Sequence, residues 1–330
     1  MTGTGAPQRL LLLGGGGGLV GRAIVREFSP DWKIRSLHRH PVEAERAAGV
    51  EWVPTDLGGR VDWPERLEGV DLVINLAWYR YGSARRFRPL AEGLRRCLRA
   101  CEARPQLRFL HISVPDAPPA LETGLPYLAY KREVDRELRE SSLDYTIVRP
   151  SMLFGPRDRL LTVMLRLMRR YGRFPLFGEG DYHLSPLAAA DLAAILRREA
   201  AVPGSRNLIF GGPTRWRYRD LLDRMFAALG RPARYIRLSP RMSVAVARIL
   251  QDMGSQLIYA YEVEWLLSDR LGPPPYSRTR PAPPVRRAVS GGRGPSAQRR
   301  GLLNPGGVDP GVRPGPIPGG LREGLPARAR

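Results

Sequence analysis

The stretch from Leu10 to Phe28, LLLLGGGGGLVGRAIVREF, constrains this chain more than any other. Four leucines read as a short buried strand, cut off sharply by glycine. Five glycines follow, Gly14 to Gly18, with a sixth at Gly21. From Leu19 the apolar period turns helical and puts Leu19, Val20, Ala23, Ile24 and Phe28 on one side. Strand, glycine turn and helix in that order present backbone N–H groups and the positive end of a helix dipole to a pair of phosphates. Two spacings fit the run: Gly15, Gly18 and Gly21 as G-x-x-G-x-x-G, and Gly16, Gly18 and Gly21 as G-x-G-x-x-G. A bare glycine run also suits a flexible linker, but the flanking strand and helix favour the phosphate-binding reading.

The rest of the first half repeats the alternation. Strands are expected at Trp32–Pro41, Val50–Leu57, Gly69–Trp78 and Gln106–Val114, with helices at Trp63–Leu67 and Ala84–Ala103. This spacing predicts right-handed βαβ units on a parallel sheet. The fold class is therefore α/β: a Rossmann-type doubly wound parallel sheet, followed by a smaller C-terminal α/β lobe and a disordered tail. Expected boundaries are 8–155 for the nucleotide-binding domain, 156–270 for the smaller lobe, interleaved with the first, and 271–330 for the tail.

In such folds an acidic residue after the second strand binds a ribose 2′-hydroxyl, whereas arginine suits a 2′-phosphate. Here no acid appears before Glu43, and Arg39 sits at the strand end beside Arg35, His38 and His40. That favours NADP(H) over NAD(H), against the alternative that these are solvated arginines in an arginine-rich chain. Tyr127 and Lys131 are four residues apart and so share one face of a helix. An ammonium near a phenol lowers its pKa toward a useful value, and Ser113 ends the fifth strand nearby. Tyr-x-x-x-Lys also arises by accident, and Tyr130 offers a neighbouring phenol. However, Lys131 is one of only two lysines, with Lys33, in a chain that otherwise uses arginine.

Composition bounds the remaining classes. The net charge is +21, and eleven arginines against two acids, Asp309 and Glu323, lie after Leu271. The scarcity of lysine beside abundant Ala, Gly, Pro and Arg points to compositional bias and argues against nucleic acid as the main partner. Cys97 and Cys101 lie four apart on a helix and read as packed apolar residues, not as a metal site or a disulfide. No apolar run approaches the length of a membrane span, and a cytoplasmic location is the expectation.

The motifs together resemble the extended and atypical short-chain dehydrogenase/reductases: LLLLGGGGGLVGR, TDL at Thr55–Leu57, NLA at Asn75–Ala77, HIS at His111–Ser113, Tyr127-x-x-x-Lys131, TIVRPSMLFGP and SPLAAADLAAIL. The likeness covers about residues 9–270. VRPSMLFGPRDRLL and EWLLSD are most similar to the NADPH-binding accessory subunit of respiratory complex I and its bacterial relatives, with sugar-nucleotide epimerases and dehydratases as neighbours. The resemblance implies that Gly15, Gly18 and Gly21, with Leu19 and Val20 between them, meet the pyrophosphate and Arg39 the 2′-phosphate. It implies that Asp56 and Leu57 flank the adenine, that Leu76 and Ala77 line the ribose, and that Pro150 and Ser151 lie beside the nicotinamide. Tyr127 becomes the acid/base, Lys131 holds the nicotinamide ribose and lowers the tyrosine pKa, and Ser113 orients the substrate oxygen. Two functions follow from the likeness: an NADP(H)-dependent oxidoreductase or epimerase acting on an unidentified small molecule, or a non-catalytic NADPH-binding accessory protein peripherally associated with a membrane complex. The segment AWYRYGSARRF departs from the family's small-residue loop, being more basic and more aromatic. From Leu271 the text becomes Arg/Pro/Gly-rich where relatives continue in order, and a frameshifted or otherwise aberrant end is the expectation there.

Overall fold

A computed structural model of the chain describes residues 8–14, 16–39, 49–255, 257–271 and 277–279. The expected tail beyond Leu271 lies almost wholly outside these residues, as does Gly15. All described residues belong to one compact unit, Met1–Pro284.

The leucine run forms β1 (Gln8–Leu13), and its side chains alternate between two cores. Leu10 and Leu12 face one layer of helices, and Leu11 and Leu13 face the other, which is how a central parallel strand becomes apolar on both sides. The chain continues through α1 (Leu19–Phe28), β2 (Trp32–His38), β3 (Val50–Pro54), α2 (Trp63–Arg66), β4 (Leu72–Asn75), α3 (Ala84–Glu102) and β5 (Arg108–Ile112). Then come α4 (Pro119–Gly124), α5 (Pro126–Glu140), β6 (Asp144–Pro150) and β7 (Leu153–Phe154). The second half comprises α6 (Arg159–Tyr171), β8 (Phe174–Phe177), β9 (His183–Leu184), β10 (Leu187–Ala188), α7 (Ala189–Ala200), β11 (Arg206–Phe210), β12 (Trp216–Arg217) and α8 (Tyr218–Ala228). It ends with β13 (Tyr235–Leu238), α9 (Pro240–Asp252), α10 (Ala260–Leu267) and β14 (Ser277–Thr279).

The main sheet runs β14-β11-β6-β5-β4-β1-β2-β3. Seven strands are parallel, and β14 adds antiparallel at the edge. Strand order reverses between β1 and β4, the crevice where doubly wound sheets bind ligands. The β1 leucines pack against α1 and α7 on one face and against α3 and α5 on the other. The expected strands and helices of the first half are present, with β2 and β3 ending at His38 and Pro54. Strand β6 was legible only as part of a motif. Its buried Thr146 and Arg149 interrupt the apolar run by which a central strand is normally read.

The smaller lobe has its own core. Met164, Met168, Phe174, Leu176, Leu222 and Phe226 pack where α6 and α8 meet the β8–β13 pair. Asp158 caps α6 by accepting from the Leu160 and Leu161 amides at 2.7 and 3.1 Å. Gly172, at φ 65°, ends the helix in the left-handed region. Between the segments of this lobe, α7 and β11 return to the main sheet. No helix among the described residues is long and apolar enough to cross a membrane.

One close approach ties the helix layer to the nucleotide edge of the sheet. Gly93 of α3 lies so near the Leu57 carbonyl that any Cβ there would collide with it. Gly124, at the end of α4, faces open space. Gly93→Ala is therefore expected to destabilise the fold by about 2 kcal/mol or more. Gly124→Ala should leave it unchanged or raise it by up to about 1 kcal/mol. Denaturant titration of both variants checks the contrast.

Candidate functional site

The glycine turn is held by both strands that flank β1. The Gly14 amide donates to the Leu37 carbonyl at 2.8 Å, and the Leu76 amide to the Leu13 carbonyl at 3.0 Å. Gly14 sits at φ 66°, and a Cβ on it would lie 2.9 Å from Ala77. A Cβ on Gly16 would strike Ser36 Oγ and the Trp52 ring. Gly18 is the extended N-cap of α1, with no side-chain cap and no acidic residue in the first turn. The first amides of α1 thus lack the side-chain acceptors that usually satisfy them. Gly21 is buried under the helix, and Arg22 donates back to the Gly17 carbonyl. Around the turn, Ser36 Oγ, His38 Nδ1 and Trp52 Nε1 are buried without hydrogen-bond partners among the described residues. A backbone cradle that excludes Cβ atoms, a bare helix N-terminus and unpaired buried polar atoms fit a dinucleotide pyrophosphate.

At the end of β2, exposed Arg39 donates to the Tyr79 hydroxyl at 3.0 Å and lies 5.5 Å from its ring centre. Arg86 stacks over the same ring at 4.2 Å. Neither arginine pairs with a carboxylate among the described residues. Asp56 is exposed and accepts the Gly58 amide at 3.0 Å, while Leu57 is buried beneath it. Ala77 is buried, and its amide is held at 2.9 Å by Asn75 Oδ1. The residues expected at the phosphate and adenosine end (Gly18, Leu19, Val20, Gly21, Arg39, Asp56, Leu57, Leu76 and Ala77) thus converge at the C-terminal ends of β1 to β4.

The expected chemistry residues lie farther along the same edge. Helix α5 carries Tyr127 and Lys131, and Ser113 follows β5. A buried polar cluster organises them around Asp135, which is fully buried. Asp135 accepts from Ser113 Oγ and from Arg149, both at 2.7 Å, and its other oxygen lies 3.3 Å from His111 Nε2. His111 Nδ1 in turn meets Asn75 Nδ2 at 3.0 Å. Burial alone would raise the Asp135 carboxyl; His111, Arg149 and Ser113 more than offset it and hold the carboxyl well below the usual range. The expected role of Ser113 is to orient a substrate oxygen; here its proton is directed at Asp135.

Lys131 is almost fully buried, with its ammonium 4.7 Å from the centre of the Trp78 ring. Burial pushes it down to about 8, with Asp135 opposing and Arg132 and Arg149 reinforcing the drop. Tyr127 does not show the expected lowering by Lys131. Burial, with Glu262 adding to it, pushes the phenol up, and only Arg132 and Arg80 oppose. The physical reason is the aromatic wall around it. Tyr127 packs against Phe87 at 6.1 Å and Tyr261 at 5.8 Å, while Trp78 lies stacked on Phe87 and faces Lys131. The basic, aromatic loop after β4 is locked onto α10. Arg80 grips Glu262 with two 2.6 Å contacts, Tyr81 stacks on Tyr259 at 4.5 Å, and the Tyr261 hydroxyl donates to the Arg80 carbonyl at 2.7 Å. Pro150 pairs with Phe210 at the end of β6, and the Ser151 hydroxyl donates to the Ser185 carbonyl.

Residues 15–166 match the family model described as NAD(P)H-binding. That match spans a little under half of the 330-residue chain. Over 253 residues the chain is 24% identical to 2-alkyl-3-oxoalkanoate reductase of Stenotrophomonas maltophilia (strain K279a), covering 67% of this chain and 76% of that protein. Over 144 residues it is also 24% identical to the mitochondrial NADH dehydrogenase (ubiquinone) 1 alpha subcomplex subunit 9 of Arabidopsis thaliana, spanning 43% of this chain and only 35% of that subunit. Among solved structures it resembles UDP-glucuronic acid 4-epimerase from Bacillus cereus, seen with UDP-glucuronic acid and NAD. The TM-score is 0.56 at 16% identity, with 79% of this chain and 98% of the epimerase covered. The likeness shows a shared fold with that epimerase.

Sequence reasoning missed five contributing residues. Asp135 follows Lys131 by four residues and so shares its helix face, a spacing that offers the signal. Tyr79 and Arg86 were noted only as an unusual loop. Tyr261 and Glu262 lie more than a hundred residues away from Tyr127 and carry no local pattern that points to it.

A lysine whose folded pKa lies below its unfolded one binds fewer protons folded than unfolded between the two, so stability rises with pH there. With Lys131 at about 8 folded and about 10.4 unfolded, the thermal midpoint of the ligand-free protein should climb from about pH 8 to about pH 10. Lys131→Met should flatten that climb. An equal climb in the variant would contradict the assignment.

Proposed function

We propose that the NAD(P)H-binding domain takes NADP(H) in preference to NAD(H), and that the protein is a short-chain reductase or epimerase using Tyr127 as its acid/base. The observation that carries the cofactor reading is the end of β2: Arg39, with Tyr79 and Arg86 beside it and no acid paired with either arginine among the described residues, next to a glycine turn whose helix N-terminus has no side-chain cap. A 2′-phosphate supplies the dianion that two guanidiniums at one ring would otherwise lack. The bound cofactor supplies the hydride. Tyr127, kept protonated by burial, gives its phenolic proton to the oxygen of a reducible carbonyl, and Lys131 holds the nicotinamide ribose beneath Trp78. The Asp135 cluster positions Ser113, which turns from Asp135 toward the substrate oxygen when one is present. Likeness to a 2-alkyl-3-oxoalkanoate reductase makes 3-oxo acids the first substrates to screen.

A second reading rests on a specific observation. The Tyr127 ring meets Phe87 edge-on and stacks on Tyr261, and the loop beside it is clamped to α10. That arrangement suits a protein that holds NADPH without turning it over, as an accessory component of a membrane complex. Likeness to the Arabidopsis NADH dehydrogenase subunit supports it.

Calorimetry separates cofactor choice from chemistry. NADPH should bind more tightly than NADH, and Arg39→Ala should weaken NADPH by about tenfold or more while leaving NADH nearly unchanged. Equal loss for both cofactors would contradict the 2′-phosphate assignment. Substrate-dependent loss of reduced-nicotinamide absorbance that disappears in Tyr127→Phe supports the enzyme. Tight NADPH retention without turnover across the 3-oxo acids supports the accessory reading.

A further inference from the structure

Helix α9 is inverted relative to an ordinary surface helix. Its inward side is slight, with Ser243 and Ala247 buried and Val244 packed beside them. One outward side is apolar: Met242, Val246, Ile249 and Met253 recur at helical spacing and stand 54, 38, 59 and 78% exposed. A solvated helix places polar residues there. An unpartnered apolar stripe of this kind marks a docking surface.

Its charged setting identifies the occupant. Arg241 and Arg248 lie together on one side of the stripe on α9, with Asp252 beside them, and Arg234 and Arg237 lie on or beside β13, the strand before α9. From Arg224 to the end of α9 the chain has six arginines against one acidic residue, Asp252. A second copy joined by a two-fold axis would set these arginines against their own kind. The chain beyond Leu271 has eleven arginines against two acids and is repelled in the same way. An anionic lipid surface matches both features, since an interfacial helix sinks its apolar face to the acyl boundary while its arginines meet the headgroups. At 13 residues, or about 20 Å, α9 is far too short to span and is suited to lying flat.

We propose that the outward face of α9, with the arginines beside it, docks the protein on an anionic phospholipid bilayer. The proposal is independent of the cofactor and of catalysis.

Flotation of the full chain with vesicles tests it. The protein should float with phosphatidylcholine vesicles containing phosphatidylglycerol, not with phosphatidylcholine alone, and salt should weaken the association. Ile249→Glu with Met253→Glu should lower vesicle affinity by about tenfold or more, with circular dichroism and NADPH binding retained. Met253→Trp supplies a second measurement in case the double variant misfolds: its added emission should shift to the blue only with the anionic vesicles. Undiminished flotation of the double variant would overturn the proposal and assign binding to the arginine-rich C-terminal text. Failure to float, with a dimer that the same variant dissociates, would overturn it in favour of a second copy. Flotation abolished by RNA but unaffected by the α9 changes would overturn it in favour of a nucleic-acid surface.

Discussion

The structure depends on the close approach of a glycine turn to the strands on either side of it. Gly14 donates to β2, the residue after β4 donates back to β1, and neither Gly14 nor Gly16 leaves room for a Cβ. Without that fit α1 would start farther from the sheet. With it, the bare N-terminus of α1 is fixed at the point where strand order reverses. The alternating burial of the four leucines of β1 completes the anchor, because one short strand is shared by both helix layers.

A second constraint couples the sheet to α5. Asp135 is a fully buried carboxylate compensated by Arg149 from β6, His111 from β5 and Ser113 beyond it. Removing one partner from such a cluster leaves a buried charge uncompensated, which costs about 3–5 kcal/mol. The cluster therefore fixes the rotation of α5 and, with it, the positions of Tyr127 and Lys131. Through Asn75 it also reaches the Ala77 amide, on the strand end that lines the nucleotide crevice. Cofactor edge and chemistry edge are in this way joined by one buried polar cluster, in which His111 approaches Asp135 at 3.3 Å.

Much of this was legible in the sequence, for identifiable reasons. The β1–turn–α1 unit announces itself because glycine is required where backbones approach closely and because apolar period switches from strand to helix at one place. By contrast, β6 hides its burial behind Thr146 and Arg149, whose polarity is satisfied only by distant groups. The wall around Tyr127 is built from Phe87, Tyr261 and, through Glu262, the clamp on Arg80, and no spacing rule joins residues so far apart. For the same reason the expected influence of Lys131 on Tyr127 could be written from helical spacing, whereas the Trp78 ring facing Lys131 could not.

The uncapped first turn of α1 is the proposed phosphate seat. Gly18 has extended N-cap geometry that an aspartate can also adopt, and aspartate is among the preferred N-caps of isolated helices. The most direct measurement is therefore paired: thermal stability and NADPH affinity of Gly18→Asp. The account predicts a thermal midpoint equal to or above that of the unsubstituted protein, with NADPH binding lost, because the carboxylate fills and repels the place of the pyrophosphate. Undiminished NADPH affinity in a stable Gly18→Asp protein would contradict it.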